Sequence, residues 1–267
     1  MFVTKHNNEI WIVNQFDHSV QAGQVANHWG NDEFEPISKS LVTAVEKHDI
    51  GWIEPDAEVL FDEETGKPVN FININIKQHV KFYSNGYKKI LEEDPYAGML
   101  IGMHWIGLYT SRFGYDPTFT YKIPEDLKDF MQKTIIETQK EWVDVKMNYW
   151  EFNQKRSEFE DKIWMDYEIL QIMDRMSQLV SLNTLEDKTE AVLGPVRKTQ
   201  HSEGIQLNVQ LPGDGSLVVD PFPFSKEFET TVKLRRIENK RYSSHAELKE
   251  AIIQAPFEEM KWKIRSK

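Results

Sequence analysis

The residues of this chain with the clearest capacity for chemistry are an adjacent histidine and aspartate, His48 and Asp49. They end an amphipathic segment and are followed by Gly51 and Trp52. Neighbouring helical residues point about 100° apart, so such a pair at a helix end can offer two adjacent ligands to one octahedral cation. A mixed nitrogen and oxygen set suits iron, manganese, cobalt or nickel, and suits magnesium less well. The alternative is that Asp49 and Gly51 finish the helix and His48 is a hydrogen-bonded core residue.

Two positions far apart in the chain add to this candidate. His18 precedes a face of small residues along which two helices could approach closely, namely Ala22, Val25 and Ala26. Asp174 belongs to an otherwise apolar helix stripe made of Ile163, Tyr167, Leu170, Asp174 and Ser177. An unpaired carboxylate is costly to bury, so Asp174 should have a cation or a basic side chain as its partner. Arg175 is the next residue and therefore points away from the stripe.

Three further histidines are candidates. His104 lies in the uncharged stretch 95–111, where it is either a ligand or a core histidine bonded to a carbonyl or carboxylate. His28 lies ten residues after His18, and His79 lies near lysines. The basic residues that could balance an anionic substrate such as a phosphate ester are Lys39, Arg112 and Arg175. Trp29, Trp52 and Trp105 lie close to candidate ligands, either as pocket walls or as core residues.

The segments that carry these residues have helical spacing. Helices are predicted from about 17 to 30, from 36 to 51, from 78 to 93 and from Asp94-Pro95 onwards, and a long helical region from 124 to about 182 with one break near Arg156. Strand patterns flank them, with a hairpin over 2–13 and further strands over 204–211, 217–219, 228–237 and 260–264. Ser244 and Glu247 have the spacing of a capping box. Strands from the two ends of the chain are expected to pair in one small sheet.

These elements predict a mainly α fold with a small β part, in the α+β class. Residues 1–193 would form a helical body that includes the N-terminal hairpin. Residues 194–267 would form a β-rich cap that packs on this body and is not independent of it. The small sheet would be antiparallel and would lie at the flank of the helices.

Composition excludes several classes of function. The 267 residues include 32 basic and 43 acidic side chains, for a formal net charge of -11 and a pI near 5.3. Such a balance argues against binding to nucleic acid or to anionic membranes, because phosphate affinity requires clustered Lys and Arg. Cysteine is absent, which excludes disulfides and thiolate chemistry. The chain starts without a secretory signal pattern and has no apolar run long enough to span a bilayer, so we expect a cytoplasmic protein.

Common catalytic motifs are also absent from the sequence. It contains no phosphate-binding loop, no G-x-S-x-G elbow, no H-E-x-x-H segment and no dinucleotide fingerprint. We therefore expect no organic cofactor. His6, His201 and His245 lie in turn-like contexts and receive no role.

The order His18, His48-Asp49 and Asp174 resembles the H…HD…D metal-binding signature of the HD-domain superfamily of metal-dependent phosphohydrolases. The chain as a whole resembles more closely an uncharacterised bacterial family of unknown function, DUF3891. The segments that carry the second resemblance are Gln15-Phe16-Asp17-His18, Ala22-Gly23-Gln24, His28-Trp29-Gly30, His48-Asp49-Ile50-Gly51-Trp52, Asp94-Pro95-Tyr96-Ala97 and Asp220-Pro221-Phe222-Pro223-Phe224. That family implies no particular activity.

The HD resemblance implies an HD-like helical core and a set of roles. The ligands of one divalent cation would be His18, His48, Asp49 and Asp174. Asp49 could bridge to a second ion, held by His104 together with His79 or His28. His48 and Asp49 would be the catalytic residues, with Asp49 orienting a metal-activated water. The resemblance therefore implies one or two ions of iron, manganese, cobalt, nickel or magnesium.

Three functions are compatible with this pattern. The first is a metal-dependent phosphohydrolase that acts on a nucleotide or small phosphate ester. The second is a non-catalytic binding or structural protein with a buried His/Asp network. The third is a di-iron oxygenase of the HD type. A small phosphate ester is the expected partner, and a homo-oligomer is compatible with the sequence.

Overall fold

Both ends of the chain contribute strands to one sheet in the computed structural model, which describes residues 1–114 and 120–267. The strands are β1 (Phe2–His6), β2 (Glu9–Val13), β3 (Phe61–Asp62), β4 (Lys67–Pro68), β5 (Lys188–Arg197), β6 (Gly204–Pro212), β7 (Ser216–Asp220), β8 (Phe228–Glu238) and β9 (Glu258–Ser266). Seven of them form one sheet in the order β1-β2-β8-β9-β7-β6-β5, and β3 pairs with β4 apart from it. Within the large sheet, β7 and β9 are parallel and the other neighbours are antiparallel.

Eight α-helices are described. They are α1 (Gln15–Ala26), α2 (Lys39–Lys47), α3 (Ile53–Glu58), α4 (Ile76–Glu93), α5 (Pro95–Gly107), α6 (Lys128–Tyr149), α7 (Arg156–Leu182) and α8 (His245–Gln254). Short 3-10 turns follow α2 at Ile50–Trp52 and α5 at Ser111–Gly114. None of the helices in the described ranges combines the length and the apolar character needed to cross a bilayer.

The expected fold class is wrong. The chain is an α/β protein, about 49% helical and 23% strand, with a curled seven-stranded mixed sheet in place of a small antiparallel flank beside an HD-like helical core. The reason is the position of β9, which pairs antiparallel with β8 and parallel with β7. It thereby joins two antiparallel groups of strands into one sheet. The sequence pattern also does not predict β5, because charged residues and a Gly-Pro pair interrupt its alternation.

Local sequence explains where the helices of the site begin. The side chain of Ser38 accepts a hydrogen bond from the Leu41 amide at the start of α2. Asp94 does the same for the amide of Ala97, and Pro95 occupies the first turn of α5, where no donor is needed. These caps satisfy amides that would otherwise have no partner inside the helix. They define where α2 and α5 begin, and these two helices position His48 and His104.

The core lies between the helices and the inner face of the sheet. Every residue of α5 from Ala97 to Gly107 is buried, so this helix forms the centre of the helical layer. Helix α1 lies between that layer and β8, where Gln21 and Gln24 hydrogen-bond the hydroxyl of Thr230. A second, smaller apolar cluster lies beneath α8. The helices that pack around α5 thus bring residues from distant parts of the chain together.

Candidate metal centre

Five side chains from four helical segments meet beside α5. They are His18 of α1, His48 and Asp49 at the end of α2, His104 of α5 and Asp174 of α7. Each is only 1% or 2% exposed. In two subsets the potential ligand atoms lie within 4.8 Å of one another, and these subsets are His18 with His48 and Asp49, and His48 with His104 and Asp174. The tertiary structure therefore places these residues close enough to hold a metal ion.

The distances around Asp174 suit a shared cation. Its Oδ1 atom lies 3.0 Å from Nε2 of His18 and 3.5 Å from Nε2 of His48. Nε2 of His48 also lies 3.6 Å from Oδ2 of Asp49. Adjacent ligands with metal bonds of about 2.1 Å are roughly 3 Å apart in an octahedral site and slightly farther apart in a tetrahedral one. These three distances are therefore close to those between two ligands of one ion.

The proton of His48 has a defined place. Its Nδ1 atom lies 2.7 Å from the carbonyl oxygen of Val45, and because a carbonyl can only accept, Nδ1 must donate. Nε2 has no hydrogen-bond partner among the described residues. A neutral His48 therefore turns an unshared electron pair towards Asp49 and Asp174. Such an arrangement, with one ring nitrogen bonded to the backbone, is typical of metal-binding histidines.

The charges around His48 also favour an additional positive charge at its ring. Burial alone would lower the pKa of His48, but the charges of Asp49 and Asp174 outweigh burial and raise it to about 9. Either a second proton on the ring or a metal ion would supply the missing charge. The site thus attracts a cation to the space in front of Nε2.

His18 is oriented by Ser177. The Ser177 hydroxyl lies 2.6 Å from Nδ1 of His18 and 2.9 Å from the carbonyl oxygen of the same residue. When its single proton goes to the carbonyl, the hydroxyl oxygen accepts from Nδ1 and leaves Nε2 of His18 free to bind a cation. Ser177 follows Asp174 by one helical turn, so α7 supplies both a ligand and the group that orients another ligand.

His104 is held by Gln171. Nδ1 of His104 lies 3.2 Å from the side-chain amide nitrogen of Gln171, and the same amide can turn to present its carbonyl oxygen. When the amide oxygen of Gln171 faces His104, Nδ1 of His104 carries the proton and its Nε2 is available as a ligand. Burial and the charge of His48 lower the pKa of His104 well below its usual range. His104 is therefore neutral, as a metal-binding imidazole must be.

The two carboxylates are each held by a hydroxyl or a cation. Tyr83 donates to Oδ1 of Asp49 over 2.7 Å, and burial together with the Asp49 charge raises the pKa of Tyr83 well above its usual range. Arg112 donates from Nη2 to Oδ2 of Asp174 over 3.1 Å, and Gln178 donates to Oδ1 over 2.9 Å. Tyr83 therefore keeps its proton and remains a donor at neutral pH.

Asp174 is ionised despite complete burial. Burial alone would raise its pKa, but the neighbouring imidazoles of His18 and His48 and the charge of Arg112 hold it well below the usual range. The basic partner expected for this carboxylate is thus Arg112, which follows α5. Apart from the imidazoles, the cluster contains two carboxylates and one guanidinium, so the carboxylates outnumber the fixed positive charge.

A close backbone contact determines the position of Asp49. The 3-10 turn after it packs against α4, where Gly51 meets Gly86. A Cβ atom on Gly51 would lie 2.0 Å from the carbonyl oxygen of Phe82. Trp52, which is fully buried, then packs against the ring of Tyr83 with centroids 6.1 Å apart. Glycine at position 51 therefore allows the turn to approach α4 closely.

The structure does not bring His28 or His79 into the cluster. His28 lies ten residues beyond His18, in the turn after the end of α1, and stacks on Phe228 with ring centroids 3.8 Å apart. His79 is fully buried, and its Nδ1 atom lies 2.5 Å from the hydroxyl of Tyr109. Lys39 is exposed at the start of α2. Trp29, Trp52 and Trp105 are at most 5% exposed and belong to the main core.

Sequence reasoning assigned no role to several residues that orient the cluster. Gln171, Ser177 and Gln178 lie three residues before and three and four residues after Asp174, so helical spacing alone places them on its face. Tyr83 has no comparable signal, because its contact with Asp49 depends on how α4 packs against the turn after α2.

The fold and the cluster together define an α/β protein with a buried His/Asp group that could hold a metal ion. The chain belongs to the DUF3891 family, described as a protein of unknown function, and the family model matches residues 1–239. The match ends directly after β8, so α8 and β9 lie outside it. No curated protein and no solved structure matches the chain.

Proposed function

We propose that the cluster binds a divalent transition-metal ion and that the protein is a metal-dependent phosphohydrolase. Iron, manganese, cobalt and nickel suit the mixed imidazole and carboxylate set better than magnesium does. The observation that carries the proposal is the position of Nε2 of His48, which lies 3.6 Å from Oδ2 of Asp49 and 3.5 Å from Oδ1 of Asp174 while Nδ1 donates to a carbonyl. His18, His48, Asp49 and Asp174 would hold the ion, and His104 lies beside them.

The side chains suit hydrolysis of a phosphate ester. A bound divalent cation supplies Lewis acidity and lowers the pKa of a bound water. Tyr83 holds one oxygen of Asp49, so the other oxygen has a defined position from which to orient a water and accept its proton. Arg112 adds a fixed positive charge that can offset negative charge developing on a phosphoryl group.

A motif-level analogy supports this reaction class. The order of the four residues along the chain is the order of the ligands in the H…HD…D signature of metal-dependent phosphohydrolases. The nearly complete burial of the cluster favours a small substrate, such as a nucleotide or a simple phosphate monoester. The analogy concerns the ligand pattern and not the fold.

Two alternatives each have a specific observation in their favour. The partners of Asp174 include Arg112 and Gln178, as expected of a non-catalytic hydrogen-bond network. The second group of possible ligands, which includes His104, would suit a di-iron oxygenase if it held its own iron. The metal content of the purified protein separates these alternatives from the hydrolase.

The test is elemental analysis of the wild type beside His48→Gln, Asp49→Asn and His28→Gln. We expect about one divalent ion per wild-type chain and at least a tenfold loss of affinity in the first two variants, because each loses a ligand. His28→Gln is the matched control and should keep the metal, since His28 stacks on Phe228 away from the cluster. A panel of phosphate esters with added manganese then tests hydrolysis.

The outcomes are distinct. A metal-free wild type whose fold survives His48→Gln would support the hydrogen-bond network and contradict the metal centre. An iron-dependent absorption band with consumption of dioxygen would support the oxygenase. A metal-loaded protein that hydrolyses none of the esters would refute the phosphohydrolase while leaving the metal centre intact.

A further inference from the structure

Arg112 lies in an unusual stretch of backbone beside the cluster. Ser111, Arg112 and Phe113 have φ angles of 52°, 48° and 56°, so three consecutive residues other than glycine adopt the left-handed conformation. Left-handed conformations are unfavourable for such residues, and they persist only where surrounding contacts impose them, often at functional sites. The turn places the Arg112 side chain in the interior, where it is completely buried.

The guanidinium of Arg112 has more donors than partners. Its Nη2 atom donates to Asp174, whereas Nε and Nη1 have no hydrogen-bond partner among the described residues. Leaving the donors of a buried cation unpaired is costly, so an acceptor is expected beside them. Nη2 also carries a second hydrogen. An edge of the guanidinium therefore remains available for two parallel hydrogen bonds while the pair with Asp174 stays intact.

We propose that Arg112 is the residue that binds the phosphoryl group of the substrate, through two parallel hydrogen bonds from this free edge of its guanidinium. The inference deepens the proposed function and rests on it for the identity of the anion. A guanidinium edge matches two oxygens of a phosphate better than any point charge does. Because Asp174 lies 3.0 Å from Nε2 of His18 and accepts from Arg112, it would link the metal ligands to the anion site.

The charges nearby predict that anion and cation binding are coupled. Asp49 and Asp174 both lie in the cluster, and their negative charges repel an incoming phosphate. A divalent cation would reverse the sign of the local charge. Phosphate should therefore bind the metal-loaded protein at least tenfold more tightly than the metal-free protein.

The test is calorimetric titration of inorganic phosphate into full-length wild type, Arg112→Lys and Arg112→Met, each loaded with manganese. Arg112→Lys keeps a positive charge near Asp174 but loses the planar edge, so we expect at least tenfold weaker phosphate binding with unchanged metal content. Arg112→Met should bind no phosphate. Lys39→Met is the control and should bind as the wild type does, because Lys39 is exposed at the start of α2.

Two results would overturn this inference. One is a metal-loaded wild type that binds no phosphate, and the other is a folded Arg112→Lys protein with normal metal content and wild-type phosphate affinity. A wild type that binds no phosphate overturns the inference even if both Arg112 variants prove unstable. Failure of the proposed function is distinguishable, since it would appear as the absence of metal or as a metal-loaded protein that hydrolyses none of the esters.

Discussion

At the residue scale, neighbours decide what each buried histidine can do. His48 and His79 are both almost fully buried, yet their surroundings differ in charge. Two carboxylates raise the pKa of His48 to about 9, whereas burial alone lowers the pKa of His79 to about 3. Aromatic rings surround His79, among them Tyr83 and Tyr121. The surroundings of His48 therefore favour a positive charge at its ring, from a second proton or a metal ion, and His79 remains a neutral core residue.

The depressed pKa of His79 predicts a pH dependence of stability. Between pH 6.5, its ordinary value, and about pH 3, the unfolded chain binds a proton that the folded chain does not. The stability that depends on neutral His79 is therefore fully present above pH 6.5 and is lost as the pH falls towards 3. Over this range the free energy of unfolding should fall by up to about 1.4 kcal/mol per pH unit. In His79→Gln this part of the slope should disappear. Urea unfolding at a series of pH values measures it.

The control for this prediction is His201→Gln, since His201 is exposed. That variant should unfold with the wild-type pH dependence. If His79→Gln shows the same slope as the wild type between pH 6.5 and 4, burial does not keep His79 neutral in the folded protein.

At the element scale, the site depends on how closely the turn after α2 approaches α4. His48 and Asp49 are consecutive at this turn. The side chain of His48 bonds the carbonyl of Val45, and that of Asp49 accepts from Tyr83. Gly51 and Gly86 permit the approach because neither carries a Cβ atom. The sequence contains the His-Asp-x-Gly spacing, but the need for glycine follows only from the packing of the two elements.

Gly51→Ala should therefore damage both stability and the site. The new methyl group would meet the Phe82 carbonyl at 2.0 Å, so the turn must move away from α4. We expect a loss of about 3 kcal/mol in the free energy of unfolding, as for overpacking in a core. Metal affinity should fall with it because Asp49 moves. Denaturant unfolding and elemental analysis measure the two effects.

Asn85→Ala is the matched control, since Asn85 is exposed on α4 next to Gly86. It should change stability by less than about 0.5 kcal/mol. Wild-type stability and metal content in Gly51→Ala would show that the turn does not need its close contact with α4.

At the scale of the whole molecule, β9 holds the sheet together. It lies outside the part of the chain that the family model matches, yet it joins β8 to β7. Its side chains alternate, so that Trp262 is completely buried and Lys261 is exposed. Stability of the sheet, and of α1 that packs on it, should therefore depend on residues near the end of the chain.

Trp262→Ala should cost about 3 to 5 kcal/mol of unfolding free energy, as expected when a large buried aromatic is removed. Lys261→Ala, on the same strand but facing outward, should stay within about 0.5 kcal/mol of the wild type. Thermal or denaturant unfolding followed by circular dichroism compares them. Equal stability of the two variants would contradict the central position of β9.

The sequence by itself determined the features that depend on near neighbours. Capping residues and helical spacing are sufficient to predict a start of α5 at Asp94-Pro95 and to place Asp174 and Ser177 on one face of α7. The H…HD…D order is likewise recognisable from the sequence alone. Each of these features involves residues within a few helical turns, or an order along the chain.

Only the tertiary structure decided which distant segments meet. The parallel pairing of β9 with β7 overturned the expected fold class, and the packing of α1, α2, α5 and α7 brought five candidate ligands together. The basic partner of Asp174 proved to be Arg112, 62 residues away, which spacing along the sequence does not single out. His28, equally plausible from its sequence context, lies at the other end of α1. Pairing of strands and burial of charges depend on contacts across the whole chain, which local periodicity does not encode.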